Sequence, residues 1–229
     1  MRHQTRINEL RDRVTDMGRH SLAMVEQTLT SLGRDDFQAL QDEVMVKEGQ
    51  LDQMQLELDR EAVNIITMYN PVAHNLRFLL TATRVTSELE RIGDQAVNIC
   101  TYARISPPSD SSLETTREMG GLVIRMLESA IESFKMEDAE TALETIVMDD
   151  DLDQYDREFS KSLLEDPAPL ADRTTALLIA QALERMGDQA TNICEDVIYA
   201  VNGQDVRHSP LLNLLNTDVV SADARRTPK

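Results

Sequence analysis

Twelve residues, LERIGDQAVNIC from Leu89 to Cys100, return as LERMGDQATNIC from Leu183 to Cys194, with ten of twelve positions identical and an offset of 94. A duplication of this kind restricts the chain to folds built from two like halves. A weaker echo extends it, because VKEGQLDQM (Val46 to Met54) aligns with VMDDDLDQY (Val147 to Tyr155) at an offset of 101. The seven-residue difference falls between the motifs, in turns where length changes are tolerated. Both motifs lie in stretches whose apolar residues recur with the 3.6-residue period of a helix, so the repeated unit is helical.

Periodicity and breakers predict six helices. The first runs from about Thr5 to Leu32 and stops near Gly33. The second starts from Asp35 or Asp36 as N-cap and ends at Tyr69, before Asn70-Pro71. The third follows and ends before Ser106, where Pro107 and Pro108 cannot continue a helix. The fourth opens at Ser111, where SSLE reads as a capping box with Glu114 at the third helical position, and reaches Lys135. The fifth spans Asp138 to Leu164. The sixth spans Leu170 to Val201, with Gly203 as its C-terminal cap. Aromatics make up 3% of the chain, tryptophan is absent and there are eleven Met, so the core is aliphatic packing between helices. The expected fold is all-α, two tandem antiparallel three-helix bundles. They cover 1-106 and 107-208, joined at Pro107-Pro108, with 209-229 as a loosely held tail.

A formal net charge of -18 argues against nucleic acid and against adsorption to an anionic membrane, since both need Lys and Arg. The opening MRHQTRINELRDRV has no apolar segment, and no run of roughly 18 apolar residues exists to span a bilayer. The expected location is cytoplasmic, with Cys100 and Cys194 as reduced, half-buried small hydrophobes.

Each repeated motif carries two carboxylates four residues apart: Glu48 with Asp52, Glu90 with Asp94, Asp149 with Asp153, and Glu184 with Asp188. Four residues turn a helix by about 400°, so each pair shares one face about 6 Å apart along the axis. Like charges so placed destabilise a helix by a few tenths of a kcal/mol. A bound cation removes that repulsion. The competing reading is that the acids are solvated or pair with Lys47, Arg77, Arg91 or Arg185. Gly93 and Gly187 sit between the acids at a helix cost of about 1 kcal/mol, which close approach of a facing backbone or room for a metal cluster would explain.

All-oxygen donors suit iron(III), manganese, magnesium or calcium rather than structural zinc. None of His3, His20, His74 and His208 falls in a Glu-x-x-His spacing, which counts against a ferritin-like di-iron oxidase. DDDLDQYDREFS is no calcium loop, because Gln154 stands where glycine is required and Ser160 where glutamate is. Asn98 and Asn192, four residues past the last acid, either bond a ligand carboxylate or satisfy polar groups between helices. There is no nucleophile–base pair, phosphate loop or nucleotide fingerprint, so no enzyme is expected.

The two LERxGDQAxNI copies, NPVAHNLRF (Asn70 to Phe78) and EDVIYAVNGQDVRH (Glu195 to His208) together resemble the PhoU family of phosphate-specific transport accessory proteins. The resemblance covers about residues 5 to 208. It implies six helices in two three-helix repeats, and a negative regulator of phosphate uptake and starvation signalling. The implied partners are the ATPase of a phosphate ABC transporter, a membrane sensor histidine kinase and a second copy in a homodimer. The family's paired acidic motifs imply metal clusters held by Glu48, Asp52, Glu90 and Asp94, and by Asp149, Asp153, Glu184 and Asp188. Iron is the first choice, with manganese, magnesium, calcium or zinc as substitutes. The family's DLR after PVA is replaced by His74-Asn75-Leu76-Arg77, in which Asn75 keeps an oxygen without the charge. A metal storage or redox protein, and a helical adaptor without metal, are the alternative functions.

Overall fold

The computed structural model describes residues 2–34 and 37–206. The expected cap of the second helix at Asp35 or Asp36 and the tail 209–229 lie outside the described residues. Six helices are present: α1 (Arg2–Ser31), α2 (Phe37–Tyr69), α3 (His74–Ile105), α4 (Asp110–Met136), α5 (Ala139–Glu165) and α6 (Leu170–Asn202).

Their ends follow local chemistry. Gly33 and Gly203 take left-handed backbone, φ 79 and 72, just past α1 and α6. Asp138 caps α5 by accepting from the N–H groups of Glu140 and Thr141. The helix opens two residues earlier than the expected cap at Ser111. α4 begins at Asp110, and its cap is Ser109, whose side chain accepts from the Ser112 N–H at 3.4 Å. The extended backbone of Ser109, straight after the two prolines, puts its hydroxyl at the first free N–H groups. Glu114 is thereby carried two residues past the position from which it could reach back to the cap.

The buried positions show how many neighbours each helix has. On α2 they follow a seven-residue stripe through Val44, Leu51, Leu58 and Ile65, joined towards the helix ends by Gln41 and Ala62, and on α5 the equivalent stripe is Thr145, Leu152 and Phe159, joined by Ala142 and Leu163. Such a narrow stripe suits an outer helix that packs on two neighbours, α1 and α3 or α4 and α6. The α3 stripe is broader, pairing Phe78 with Leu79, Val85 with Thr86, Ile92 with Gly93 and Ile99 with Cys100. α6 is broader still. These two also pack on each other.

They run antiparallel. Arg77 Nε donates to Ala200 O at 3.2 Å, Thr81 Oγ1 to Asp196 O at 3.1 Å, and at the other end Ser106 Oγ donates to Asp172 Oδ1 at 2.6 Å. Arg84 pairs with the buried Asp196 at 2.8 Å and lies over the Tyr199 ring. α1 and α4 also cross antiparallel, and reciprocally: a Cβ on Gly18 would lie 2.8 Å from Ile131, and one on Gly120 would lie 2.5 Å from Leu29. Gly18 and Gly120 are equivalent positions of the two halves, as are Leu29 and Ile131. The halves are therefore related by an approximate two-fold axis, and a single hydrophobic core runs through both. The cysteines lie deeper than half-buried, at 2% and 0% exposure for Cys100 and Cys194, because their face of α3 and α6 points into that core. Burial pushes the Cys194 thiol up to about 12.

One end of the core is closed by Phe78, which stacks on Phe134 at 5.4 Å between centroids and carries the Arg11 guanidinium over its ring, 4.7 Å from the centroid. Phe78 belongs to the NPVAHNLRF segment and is 1% exposed. Phe78→Ala is expected to lower stability by about 3–5 kcal/mol, the usual range for emptying a buried aromatic site. Urea unfolding followed by helical circular dichroism measures it, and a loss under about 1 kcal/mol would mean this end of the bundle is loosely packed.

Candidate metal centres

Leu51 is the centre of the α2 stripe, and Glu48 and Asp52 flank it. Leu152 holds the same place on α5 between Asp149 and Asp153. Opposite each leucine the inner helix presents a glycine: a Cβ on Gly93 would collide with Leu51 Cδ2, and one on Gly187 with Leu152 Cδ2. Both leucines are almost wholly buried, at 0% and 1% exposure. The glycines therefore serve a close approach, and what approaches is a side chain of the outer helix rather than its backbone. With the leucine seated, the acids beside it are drawn against Glu90 and Asp94, or Glu184 and Asp188.

The structure thus brings together all four acids of each half, in matching environments. Glu48, Asp52 and Glu90, like Asp149, Asp153 and Glu184, are half-buried, whereas Asp94 and Asp188 are exposed. Their charges act on one another across the helix gap. Glu48 is raised above the usual carboxylate range by burial and then by Asp52 and Asp94. Glu90 is raised by burial, then by Asp94 and Asp52, and Asp94 by burial and Asp52. In the second half, burial and the charges of Asp188, Asp153 and Glu184 push Asp149 from 3.8 to about 6. Glu184 and Asp188 move up for the same reasons.

The cations weighed as partners for these acids are mostly engaged elsewhere. Arg91 pairs with Glu88 at 3.0 Å, Lys47 donates to Gln27, and Arg77 donates to the Ala200 carbonyl. Asp153 does have a partner, Arg157 one turn on at 3.0 Å, a pair the sequence reading did not single out. Asn98 donates to Gln95 on its own helix, and Asn192 lies beside Glu88 across the α3–α6 seam, so both serve polar groups around the helices.

Among the described residues, no three His, Cys, Asp or Glu side chains form a preformed set that could hold a metal ion. Side chains of one sign spread apart on a half-solvated surface, and gathering them requires rotation about their own χ angles. The donor chemistry nonetheless suits a hard cation, being carboxylate oxygen alone. One further acid, Asp156, has its Oδ1 buried without a hydrogen-bond partner, and its charge bears on Glu184.

Two outcomes follow from this packing. Gly93→Ala and Gly187→Ala are expected to lose stability, by about 1–3 kcal/mol of overpacking set against about 1 kcal/mol of helix propensity. Gly49→Ala, where nothing lies within 4 Å of the new Cβ, is expected to gain that propensity term. Thermal and urea unfolding of the three variants distinguish the sites. The reading fails if all three are stabilised alike.

The second concerns pH. A carboxyl group whose folded-state pKa is raised binds more proton when folded than when unfolded, so its contribution to stability is present at low pH and lost as pH rises. For Asp149 the loss falls between 3.8 and about 6. Metal-free Asp149→Asn is expected to gain stability relative to the parent as pH climbs through that window. Melting temperatures of both proteins from pH 4 to 7.5 in chelator test this, and a pH-independent difference would contradict it.

The PhoU domain family model matches the chain twice, at residues 14–103 and 116–197, one match in each half. The phosphate-specific transport system accessory protein PhoU of Escherichia coli (strain K12) is 32% identical over 212 residues, which is 88% of this chain and 86% of the relative. A PhoU homolog of the same description from Burkholderia sp is 32% identical over 202 residues, 84% and 86% of the two chains. The crystal structure of the phosphate transport system regulatory protein PhoU from Streptococcus pneumoniae superposes with a TM-score of 0.82 at 25% identity, covering 89% of this chain and 99% of that one. PhoU from Pseudomonas aeruginosa gives 0.72 at 26% identity, over 88% and 99%. Two matched domains on two equivalent three-helix halves leave one assignment: the chain belongs to the PhoU family.

Proposed function

We propose that the chain is an accessory regulator of phosphate transport, acting in the cytoplasm as a homodimer to restrain uptake and phosphate-starvation signalling. Its relatives' descriptions as accessory proteins of phosphate transport support the regulatory role. The transporter's ATPase and a membrane sensor histidine kinase are the proposed partners. No described helix is long and apolar enough to cross a membrane, which agrees with action through membrane partners rather than by insertion.

The two carboxylate clusters are proposed as metal centres, with iron the first candidate. The observation that carries this is the meeting of four acids across each outer–inner helix pair at the expense of mutual repulsion. A bound ion supplies the missing positive charge. Glu48 and Asp52 would hold it from α2 and Glu90 and Asp94 from α3, tying an outer helix to an inner one; Asp149 and Asp153 would do so from α5, and Glu184 and Asp188 from α6. An adaptor without metal is the second reading. It is favoured by the Asp153–Arg157 pair and by the absence of a preformed set among the described side chains.

Purified protein is expected to bind iron or manganese and to melt at higher temperature when loaded, by mass action. Its hydrophobic core keeps the helices folded after chelation. Combined replacement Glu90→Gln/Asp94→Asn/Glu184→Gln/Asp188→Asn is expected to abolish that binding. Capture from phosphate-replete cells is expected to bring down the transporter ATPase with the parent. Metal analysis showing equal loading of parent and variant sinks the metal reading. Capture without any transporter component sinks the regulatory one.

A further inference from the structure

The tip where α2 turns into α3 puts large apolar side chains into solvent. Met68 and Val72 are each 75% exposed and Val63 is 58% exposed, with Tyr69 and Leu80 also open, all within about two helical turns of the bend. A gathered apolar surface of this kind marks a place of contact. The bend is tight, with Asn70 and Ala73 at φ 44 and 49 on either side of Pro71 and Val72. A hairpin tip is convex, a shape that suits a yielding surface better than it suits a helix seeking a groove.

The charge around this tip is unlike that of the whole chain. Residues 1–13 and 60–80, the start of α1 and the meeting of α2 with α3, hold six arginines against three acids, in a chain of net charge -18. One of those acids, Glu61, is held by Arg6 and Arg13, and Arg13 also reaches Glu57. Acids approaching from the second half are engaged as well, Glu137 by Arg11 and His74 and Asp196 by Arg84. Arg60, one turn before Val63, is exposed. The carboxylate clusters lie far off, since Glu90 and Asp94 stand about 24 and 30 Å along α3 from His74. Exposed charges are largely screened beyond about 8 Å at physiological salt. The net charge of the molecule therefore does not set the potential at this tip. The equivalent tip, between α5 and α6, is apolar too, with Leu164 79% and Leu170 72% exposed. There residues 103–115 and 161–174 hold three basic residues against five acids. The duplication gives one basic apolar tip and one acidic one.

We infer that the α2–α3 tip docks on the surface of an anionic bilayer, with Met68, Tyr69 and Val72 entering the headgroup region and Arg60 and the arginines of α1 lying against lipid phosphates. Such binding sums buried apolar area and attraction to anionic lipid. It is an interfacial contact made without a spanning segment, and it depends neither on the metal centres nor on the protein partners proposed above. The argument from net charge against anionic membranes holds for the acidic tip and fails for this one.

Flotation of the purified full chain with vesicles of phosphatidylglycerol and phosphatidylcholine, against vesicles of phosphatidylcholine alone, tests the inference. The parent is expected to float with the anionic vesicles only, and less as salt is raised. Met68→Asp/Val72→Asp is expected to weaken binding by roughly tenfold or more, because two apolar side chains no longer leave water. Arg60→Glu is expected to weaken it by about fivefold or more. Leu164→Asp/Leu170→Asp, at the acidic tip, is expected to bind as the parent does. Helical circular dichroism reports the folding of each variant, and if Met68→Asp/Val72→Asp fails to fold, the Arg60→Glu arm decides. The inference is overturned if the parent stays unbound at low salt or does not distinguish the two vesicles. It is overturned equally if the folded α2–α3 variants bind as the parent does, or if the α5–α6 variant loses as much. Binding confined to vesicles that carry the phosphate transporter also overturns it, because the patch then serves a protein, and the regulatory reading stands.

Discussion

Leu51 and Leu152 each press against a stretch of inner helix that has no side chain, at Gly93 and Gly187. The arrangement of both halves depends on this contact. The outer helices attach through a stripe that narrows to a single residue at Leu51 and Leu152, so this leucine sets how closely α2 approaches α3 and α5 approaches α6. Full burial of a leucine stabilises by about 1.5–3 kcal/mol. Each like-charge pair beside it costs a few tenths. Packing wins, and the acids are held together although they repel. The electrostatics of the clusters, with raised carboxyl groups on both sides of the gap, are a consequence of an apolar contact.

The approximate two-fold axis accounts for the rest of the architecture. It makes α3 and α6 antiparallel and places α2 and α5 on opposite flanks, with one cluster on each. It does not impose identical chemistry along the seam. Arg84 and Asp196 form an ion pair on one side of the axis, while their equivalents in the other half are Leu178 and Tyr102. Phe78 stacks on Phe134 at one end, and at the other Ser106 bonds to Asp172, the position equivalent to Phe78. Away from the axis each residue meets a position far from its own counterpart, so each side can diverge while the backbone keeps its symmetry. The same freedom allows Asp156 on α5 where α2 has Gln55.

Much of this is legible in the sequence because it depends on local spacing. The i, i+4 acids, the mid-helix glycines and the Gly33 and Gly203 caps each follow from helix geometry that a linear pattern records. What was missed had no linear signal. Asp156 lies seven residues from Asp149, outside the paired spacing, and its counterpart Gln55 removes it from the repeat. Ser109 supplants Ser111 as the cap because two prolines hold the preceding backbone extended, a conformational effect that the SSLE pattern ignores. The true partners of Lys47, Arg77 and Arg91 depend on which way each helix faces, and a list of nearby charges carries no such direction.

The sequence by itself determined the six helices, the duplication, the apolar stripe of each helix and the eight carboxylates, because helix periodicity ties those features to residue spacing within one element. Only the tertiary structure decided that the halves share one core, that α3 and α6 cross antiparallel, that Leu51 and Leu152 fill the space left by the glycines, and that the acids of an outer helix come within reach of the charge of those on the inner one. These are relations between helices. They are set by which surfaces interlock at close packing, and that depends on the shapes of side chains far apart along the chain.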